Sequence, residues 1–251
     1  MSSEFEGLVA LVTGGSSGIG KATAEALMTA GATVIVLDVN PDSAPHGSHP
    51  FHADVSDRSS VSSAIDSAME QFGRLDVLIS CAGIGAIGTV EANEDSEWAR
   101  VLSINVTGIA RVTAASLKWL RHSPCASIVN VCSIAALNGL PDRALYSASK
   151  GGVLSLTFAM ATDHVSEGIR VNCVSPGTVA TEFVDRLLRN FADPAAERAA
   201  MDARQATGRM VTPEEVATAI LYLASPRSGS TTGTALDVDG GVTHLRVRPR
   251  A

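Results

Sequence analysis

No run of apolar residues in this sequence reaches the roughly 18 needed to cross a bilayer, so no membrane-spanning helix is expected. Residues Met1 to Gly7 are polar and acidic and carry no apolar signal region, and a cytoplasmic protein is the expectation. An excess of positive charge is missing as well. Nineteen Lys and Arg stand against 26 Asp and Glu, a net charge of −7, which argues against nucleic acid as the main partner because phosphate binding needs a basic face. Cysteine is scarce. The four, Cys81, Cys125, Cys132 and Cys173, form no C-x-x-C pair and have no His at metal spacing. Reduced thiols in a cytosolic protein are expected, and no metal site. Neither a linker, a composition break nor an internal repeat divides the chain, which reads as one domain over 1–251. A chain of this length buries about three quarters of its unfolded surface and needs no covalent staples. The short run Arg246, Arg248, Arg250 reads as a solvated tail or a subunit contact.

What is present is an alternation of β-branched runs and longer helical stretches. Strands are expected at Leu8 to Thr13, Thr33 to Val39, His52 to Asp54, Val77 to Ser80, Ala126 to Cys132, Arg170 to Val174 and Ala235 to Val238. Helices are expected from the Gly-rich turn to Ala30, over Ser59 to Phe72, over Asp95 to Leu120 as one helix or two abutting ones, over Tyr146 to Ser166 and over Thr212 to Ala224. Pro41 to His49 is too short for a helical crossover. Alternation of this kind implies an α/β fold, a single-domain Rossmann-type three-layer sandwich whose doubly wound parallel sheet has about seven strands. Phe183 to Ala206 interrupts the alternation with a charged helical insert, a candidate substrate lid at about 180–210.

The first strand runs into Thr13-Gly14-Gly15-Ser16-Ser17-Gly18-Ile19-Gly20 and then a helix. Glycines let backbone approach a pyrophosphate, and a helix N-terminus offers unpaired N–H groups and positive dipole. The spacing is G-x-x-x-G-x-G, and a tight strand-to-helix turn is the bland alternative. Asp38 ends the second strand, where an acidic side chain bonds the adenosine ribose hydroxyls of a dinucleotide. A carboxylate there repels a 2′-phosphate, and no Arg or Lys occupies 14–20 or 37–48 to offset it, which favours NAD over NADP. Asp54-Val55 and Cys81-Ala82-Gly83 follow the third and fourth strands, where a carboxylate could meet the adenine amino group and small residues could let a cofactor lie against backbone.

Tyr146-Ser147-Ala148-Ser149-Lys150 places Tyr and Lys at i and i+4, on one helix face a turn apart. An ammonium near a phenol favours the phenolate, so Tyr146 suits general base work on an alcohol and general acid work on a ketone. Ser133 follows a strand 13 residues earlier and could bond the substrate oxygen. Asn105 lies inside an apolar helical stretch, where an Asn is disfavoured unless bonded; it could kink the helix or hold a water linked to Lys150.

Together these motifs, with Pro176-Gly177, resemble the short-chain dehydrogenase/reductase family over nearly the whole chain. The resemblance implies a catalytic tetrad of Asn105, Ser133, Tyr146 and Lys150. It implies cofactor contacts at Gly14, Ser16, Ser17, Gly18, Ile19, Gly20, Asp38, Asp54, Val55, Cys81, Ala82, Gly83, Tyr146 and Lys150, and at Pro176, Gly177, Val179 and Thr181 around the nicotinamide carboxamide. Ser80-Cys81 departs from the family, which usually has two Asn before Ala-Gly, and the short region between the second and third strands departs too. Within the family the stretch from Pro176 to Arg209 resembles cytosolic type 2 3-hydroxybutyrate dehydrogenases and bacterial 2-keto-3-deoxy-L-fuconate dehydrogenases, which implies a hydroxy-acid or sugar-acid substrate. Arg143, Arg186 and Arg204 would then hold its carboxylate beside Ser133 and Tyr146, since a guanidinium fork suits that group. A 3-oxoacyl reductase is the second enzyme reading, against which Asp38 speaks because those enzymes usually prefer NADPH. A non-catalytic NAD-binding scaffold is the reading from another class. The family also implies a homotetramer, with the Asn105 and Tyr146 helices between subunits, and a small-molecule substrate as the other partner.

Overall fold

The computed structural model describes residues 4–189 and 191–247, without the side chains of Phe183, Arg186 and Leu187. In chain order the regular elements are β1 (Val9–Thr13), α1 (Gly18–Thr29), β2 (Thr33–Asp38), β3 (His49–His52), α2 (Arg58–Phe72), β4 (Val77–Ser80), α3 (Asp95–Leu102), α4 (Gly108–Leu120), β5 (Ser127–Val131), α5 (Ala144–His164), β6 (Arg170–Pro176), α6 (Glu182–Leu188), α7 (Pro194–Arg204), α8 (Pro213–Ala224) and β7 (Ala235–Val238). Among the described residues the strands form one seven-stranded sheet in the order β3-β2-β1-β4-β5-β6-β7, and every pairing is parallel. The order reverses between β1 and β4, the switch point where ligands enter doubly wound sheets at the strands' C-terminal ends.

Burial follows position in the sheet. β1, β4, β5 and β6 are buried at every residue, as both faces are covered. β3 alternates half-buried and exposed residues at the sheet's edge. That edge accommodates Pro50, which has no N–H to give a ladder. One face packs Ile35, Leu78 and Ile128 against Ile65, Val112 and Val153 of α2, α4 and α5. The other packs Val12, Val36 and Ile79 against Leu27 of α1 and Val216 and Ile220 of α8. α6 and α7 stand apart from both, with a small core of their own made by Val184, Leu188 and Met201 together with Met210.

One strand differs from the pattern-based expectation, and two helical stretches take a definite form. β3 lies at His49–His52, not at His52 to Asp54, because parallel pairing of Ile35 with His49 through Asp38 with His52 sets its register, although its composition is poor in β-branched residues. The stretch from Asp95 to Leu120 is α3 and α4 joined by a π-helical turn, Ser103–Thr107, with Asn105 at its centre. The insert after β6 is two helices, the second started by Asp193, whose carboxylate accepts from the N–H groups of Ala195 and Ala196. The segment between β2 and β3 holds one 3-10 turn, Pro41–Ser43, as its length dictates.

At the N-terminal end of the sheet, Asp76 is fully enclosed. Its carboxylate accepts from Val9 N at 2.9 Å, Arg74 Nη2 at 2.8 Å and Ser123 Oγ at 2.6 Å, tying together the starts of β1 and β4 and the turn before β5. Desolvation pushes this carboxyl up, but the bonds from Arg74, Ser123 and Val9 outweigh it and hold it below its ordinary 3.8. A depressed carboxyl stabilises the fold above its unfolded pKa and loses that contribution as the pH falls through the folded value. Asp76→Asn is therefore expected to cost about 1–3 kcal/mol at neutral pH. In thermal melts the gap between wild type and variant closes as the pH is lowered from about 5 to below 3; an unchanged gap refutes the assignment.

Candidate active site

The turn after β1 is shaped for close approach. Gly14 and Gly18 have φ of 67° and 50°, in the left-handed region that glycine occupies without strain. A β-carbon at Gly20 would overlap the carbonyl oxygen of Gly14, so the first turn of α1 packs directly on the loop. Ser17 occupies the N-cap of α1 without a side-chain cap bond, so the early N–H groups of the helix receive no side-chain oxygen there. Ser16 Oγ is buried without a hydrogen-bond partner among the described residues. Asp38 Oδ2 accepts from Ser16 N at 3.1 Å and Oδ1 from Asn40 N at 2.9 Å, which fixes the carboxylate beside the turn. Thr181 meets the turn from the other side, its Cγ2 at 3.4 Å from where a Gly18 β-carbon would stand. An anion-ready helix start, an orphaned hydroxyl and a fixed carboxylate together suit the pyrophosphate and ribose of a dinucleotide.

The flanking strand ends complete the trough. Asp54 accepts from Ser56 N at 2.8 Å, and its bonds from Ser56 keep it below the ordinary carboxylate range. Val55 packs against Gly108, where a β-carbon would come within 3.1 Å of it. At the Ser80-Cys81 departure the tie comes from Thr13, whose Oγ1 accepts from Cys81 N at 3.1 Å and Ala82 N at 3.2 Å, while Ser80 Oγ is buried and unpartnered. Desolvation pushes the Cys81 thiol up to about 12, so it stays neutral. The other cysteines are free; Cys132 and Cys173 are buried and Cys125 is half-buried.

The second constellation lies at the C-terminal ends of β4 and β5. Asn105 is 1% exposed, and its carboxamide accepts from Ile84 N at 2.8 Å and donates to Ile84 O at 2.9 Å and to Ser149 Oγ at 3.0 Å. Those bonds satisfy the Asn that helix propensity disfavours. Ser149 Oγ donates to Tyr146 O at 2.7 Å. Lys150, buried one turn of α5 beyond Tyr146, donates from Nζ to Val131 O at 2.8 Å, two residues before Ser133. Its Nζ is 5.8 Å from the centroid of the Tyr146 ring. Gly83 closes the floor, and a β-carbon there would come within 3.3 Å of Asn105 Oδ1 and 3.8 Å of Lys150 Nζ. Ser133 begins a single 3-10 turn, Ile134–Ala136, and its hydroxyl accepts from Ala135 N at 3.1 Å. Tyr146 is half-buried beside Ile84, Ala86 and Trp98.

The three expected arginines fare differently. Arg143 sits at the N-cap of α5 and donates to Ala86 O at 3.3 Å, next to a backbone bridge between Gly88 and itself. Arg204 is exposed at the end of α7. The Arg186 side chain lies outside the described residues. After β6, Gly177 N donates to Val238 O at 3.1 Å, Val179 is buried, and Ala180 N donates to Val211 O at 2.8 Å. Ser149, Ile84 and Thr13 are structural partners of the site that are not among the expected site residues. Ile84 acts through its backbone and leaves no trace in composition, whereas Ser149 stands inside the Tyr-to-Lys motif and was open to notice. Among the described residues no cluster of His, Cys, Asp and Glu could hold a metal ion, and no helix is long and apolar enough to cross a membrane.

A family model described as enoyl-(acyl carrier protein) reductase matches residues 14–243, the span that holds both constellations. The chain belongs to the short-chain dehydrogenase/reductase family. It is 35% identical to 2-(S)-hydroxypropyl-CoM dehydrogenase 3 of Xanthobacter autotrophicus, over 98% of this chain and 100% of that one. It is 40% identical to the cis-4-hydroxycyclohexanecarboxylate dehydrogenase of Sinomonas cyclohexanicum, over 97% and 99%. The ligand-free aldohexose dehydrogenase of Thermoplasma acidophilum superposes with a TM-score of 0.93 at 29% identity, covering 100% of this chain and 99% of the other. The protein is an oxidoreductase of alcohol and ketone substrates, acting on CH–OH groups, in a family and fold that bind nicotinamide cofactors.

Overpacking the Gly turn is expected to damage both fold and binding. Gly20→Ala should cost about 1–3 kcal/mol in melting experiments and weaken dinucleotide binding by about tenfold or more by calorimetry. Wild-type affinity in that variant would show that the turn does not receive the cofactor.

Proposed function

We propose that this chain is an NAD-dependent dehydrogenase of a secondary alcohol carried on a hydroxy acid or sugar acid, with Tyr146 as the proton-transfer residue. The observation that carries the reading is the Lys150 ammonium, anchored on Val131 O and 5.8 Å from the Tyr146 ring, with no carboxylate paired to it among the described residues. A cation so placed favours an anionic phenol oxygen, the form that takes a proton from an alcohol.

In this reading Ser133 and Tyr146 hold the substrate oxygen between two hydroxyls. As the carbinol oxygen loses its proton, Tyr146 Oη receives it, and in ketone reduction the same oxygen returns it. Lys150 balances the charge on the phenol, and Asn105 fixes α5 through Ser149, so that Tyr146 and Lys150 share one orientation. The cofactor's contribution when bound is to accept a hydride from the carbinol carbon or to return it to a carbonyl carbon. The turn from Gly14 to Gly20, with Ser16, Ser17 and Ile19, would hold its pyrophosphate. Asp38 would hold the adenosine ribose, Asp54 and Val55 the adenine, Cys81, Ala82 and Gly83 the middle of the trough, and Pro176, Gly177, Val179 and Thr181 the nicotinamide. Asp38 carries the choice of NAD over NADP, since its carboxylate is fixed at the turn and would face a 2′-phosphate without a neighbouring cation.

The acid substrate is supported by Arg143, three residues before Tyr146 at the start of the same helix, and by the carboxylate in the name of one 40%-identical relative. The 3-hydroxybutyrate-like or 2-keto-3-deoxy-L-fuconate-like character rests on the sequence resemblance around Pro176 to Arg209. Arg204 and Arg186 would reach the carboxylate by movement of α6 and α7, the proposed lid of the single domain. We assign the chain a cytoplasmic location and a homotetrameric assembly. Phe158, 43% exposed on α5, is a candidate subunit contact, and a monomer by light scattering refutes that assembly.

Tyr146→Phe tests the core of this reading. Turnover is expected to fall by about 10²–10⁴-fold while NAD titrates as in wild type, and wild type should reduce NAD, but not NADP, on a panel of hydroxy acids and sugar acids. A Phe variant that keeps its kcat sinks the proton-transfer assignment, and turnover confined to uncharged alcohols sinks the acid substrate.

A further inference from the structure

Gln205 follows the last residue of α7 and is 1% exposed. Its Nε2 donates to Met201 O at 3.0 Å, closing the end of the helix on itself. Its Oε1 is buried with no hydrogen-bond partner among the described residues. The side chain is wedged between two loops. A β-carbon at Gly177 would stand 2.5 Å from Oε1, and one at Gly240 would stand 3.0 Å from Gln205 Cβ. The backbone seals the same junction: Gly208 N donates to Gln205 O at 2.9 Å, Thr207 N to Gly240 O at 3.1 Å and Gly177 N to Val238 O at 3.1 Å. Asp239, between these loops, accepts from Gly241 N and Thr243 N at 2.8 Å each. α6 and α7 otherwise pack mainly on their own small core.

We propose that Gln205 is a positioning residue for the nicotinamide end of the site, one that holds the Pro176–Gly177 turn in its receiving shape and joins it to the α6–α7 segment. The proposal rests on the reading above, in which that turn meets the nicotinamide. A buried carbonyl without a donor works against folding, and a Leu of similar bulk would fill the slot without it, at the loss of the Nε2 bond to Met201 O. A polar group retained at the expense of stability, beside a ligand-binding turn, is expected where function and not folding selects it. A side chain at Gly177 would meet Gln205 Oε1 and the Asp239 backbone, and one at Gly240 would meet Thr207 and Gln205, so these residues form one fitted joint. Its effect should be confined to the half of the cofactor that this turn touches, because the adenosine half rests on Asp38 and the turn after β1, at the far side of the sheet's switch point.

The test compares NAD with ADP-ribose, which has the same adenosine half and no nicotinamide. Both are titrated calorimetrically into wild type, Gln205→Leu and Gln205→Ala, with melting temperatures, kcat and KM for NAD measured alongside. The expected result is a Leu variant that melts close to wild type and binds ADP-ribose unchanged. Its affinity for NAD should fall by about tenfold or more, and KM for NAD should rise in step. The Ala variant should show the same split between the two ligands and serves alone if the Leu variant does not fold. Wild-type NAD affinity in both variants overturns the proposal, and so does an equal loss of NAD and ADP-ribose, which would mark a general disturbance. Wild type that binds NAD no better than ADP-ribose overturns the placement of the nicotinamide itself, and this proposal with it.

Discussion

The carboxamide of Asn105 joins three segments that are far apart in the chain: the exit of β4 at Ile84, the π-helical turn between α3 and α4, and α5 at Ser149. A π turn gives up regular helical hydrogen bonding and is rare outside functional sites. Here the buried amide has all three of its bonds made, and a satisfied buried group is what makes such a turn affordable. Because Ser149 in turn donates to Tyr146 O, the amide is tied to the turn of α5 that carries the phenol. Lys150 is set independently, by Val131 O at the end of β5. Tyr146 and Lys150 thus share one helix but are braced by two different strands, which leaves their relation little freedom.

The opposite wall is built from absence of side chains. At Gly20 the turn admits nothing larger than hydrogen, since a β-carbon would overlap Gly14 O, and Gly83 lets the backbone lie close against Asn105 and Lys150. Asp38 contributes charge to this wall and Ser16 contributes an unused hydroxyl. Far from these, Asp76 secures the other end of β1 and β4 with a buried carboxylate. Both strands that feed the site are therefore held at both ends, so the trough between them has fixed edges against which a cofactor and a substrate can be aligned.

Much of this was legible before any coordinates. Gly14, Gly18 and Gly20 announced the turn because only glycine tolerates it, and Tyr146 and Lys150 announced their own pairing because four residues make one helical turn. Asp38 was readable from its distance to the glycines. β3 was misplaced because His49–His52 lacks β-branched residues and takes its strand from pairing with β2. Asn105 showed that it needed partners but not which, since two of its three bonds go to the backbone of Ile84, which any residue would present. Arg143 is expected to face the pocket and hold a carboxylate; its guanidinium donates to Ala86 O, while Arg204 ends α7 exposed.

Local chemistry in the sequence determined the period of each element, the conformation of the glycine turn, the charge beside it and the spacing of phenol and ammonium, because each depends on residues within a few positions of one another. The tertiary structure decided what meets across the chain: Asn105 with Ile84 and Ser149, Lys150 with Val131, and Gln205 with Gly177 and Gly240. These contacts depend on strand register and helix packing, which are set by the burial of whole faces, and no short window of sequence carries that information.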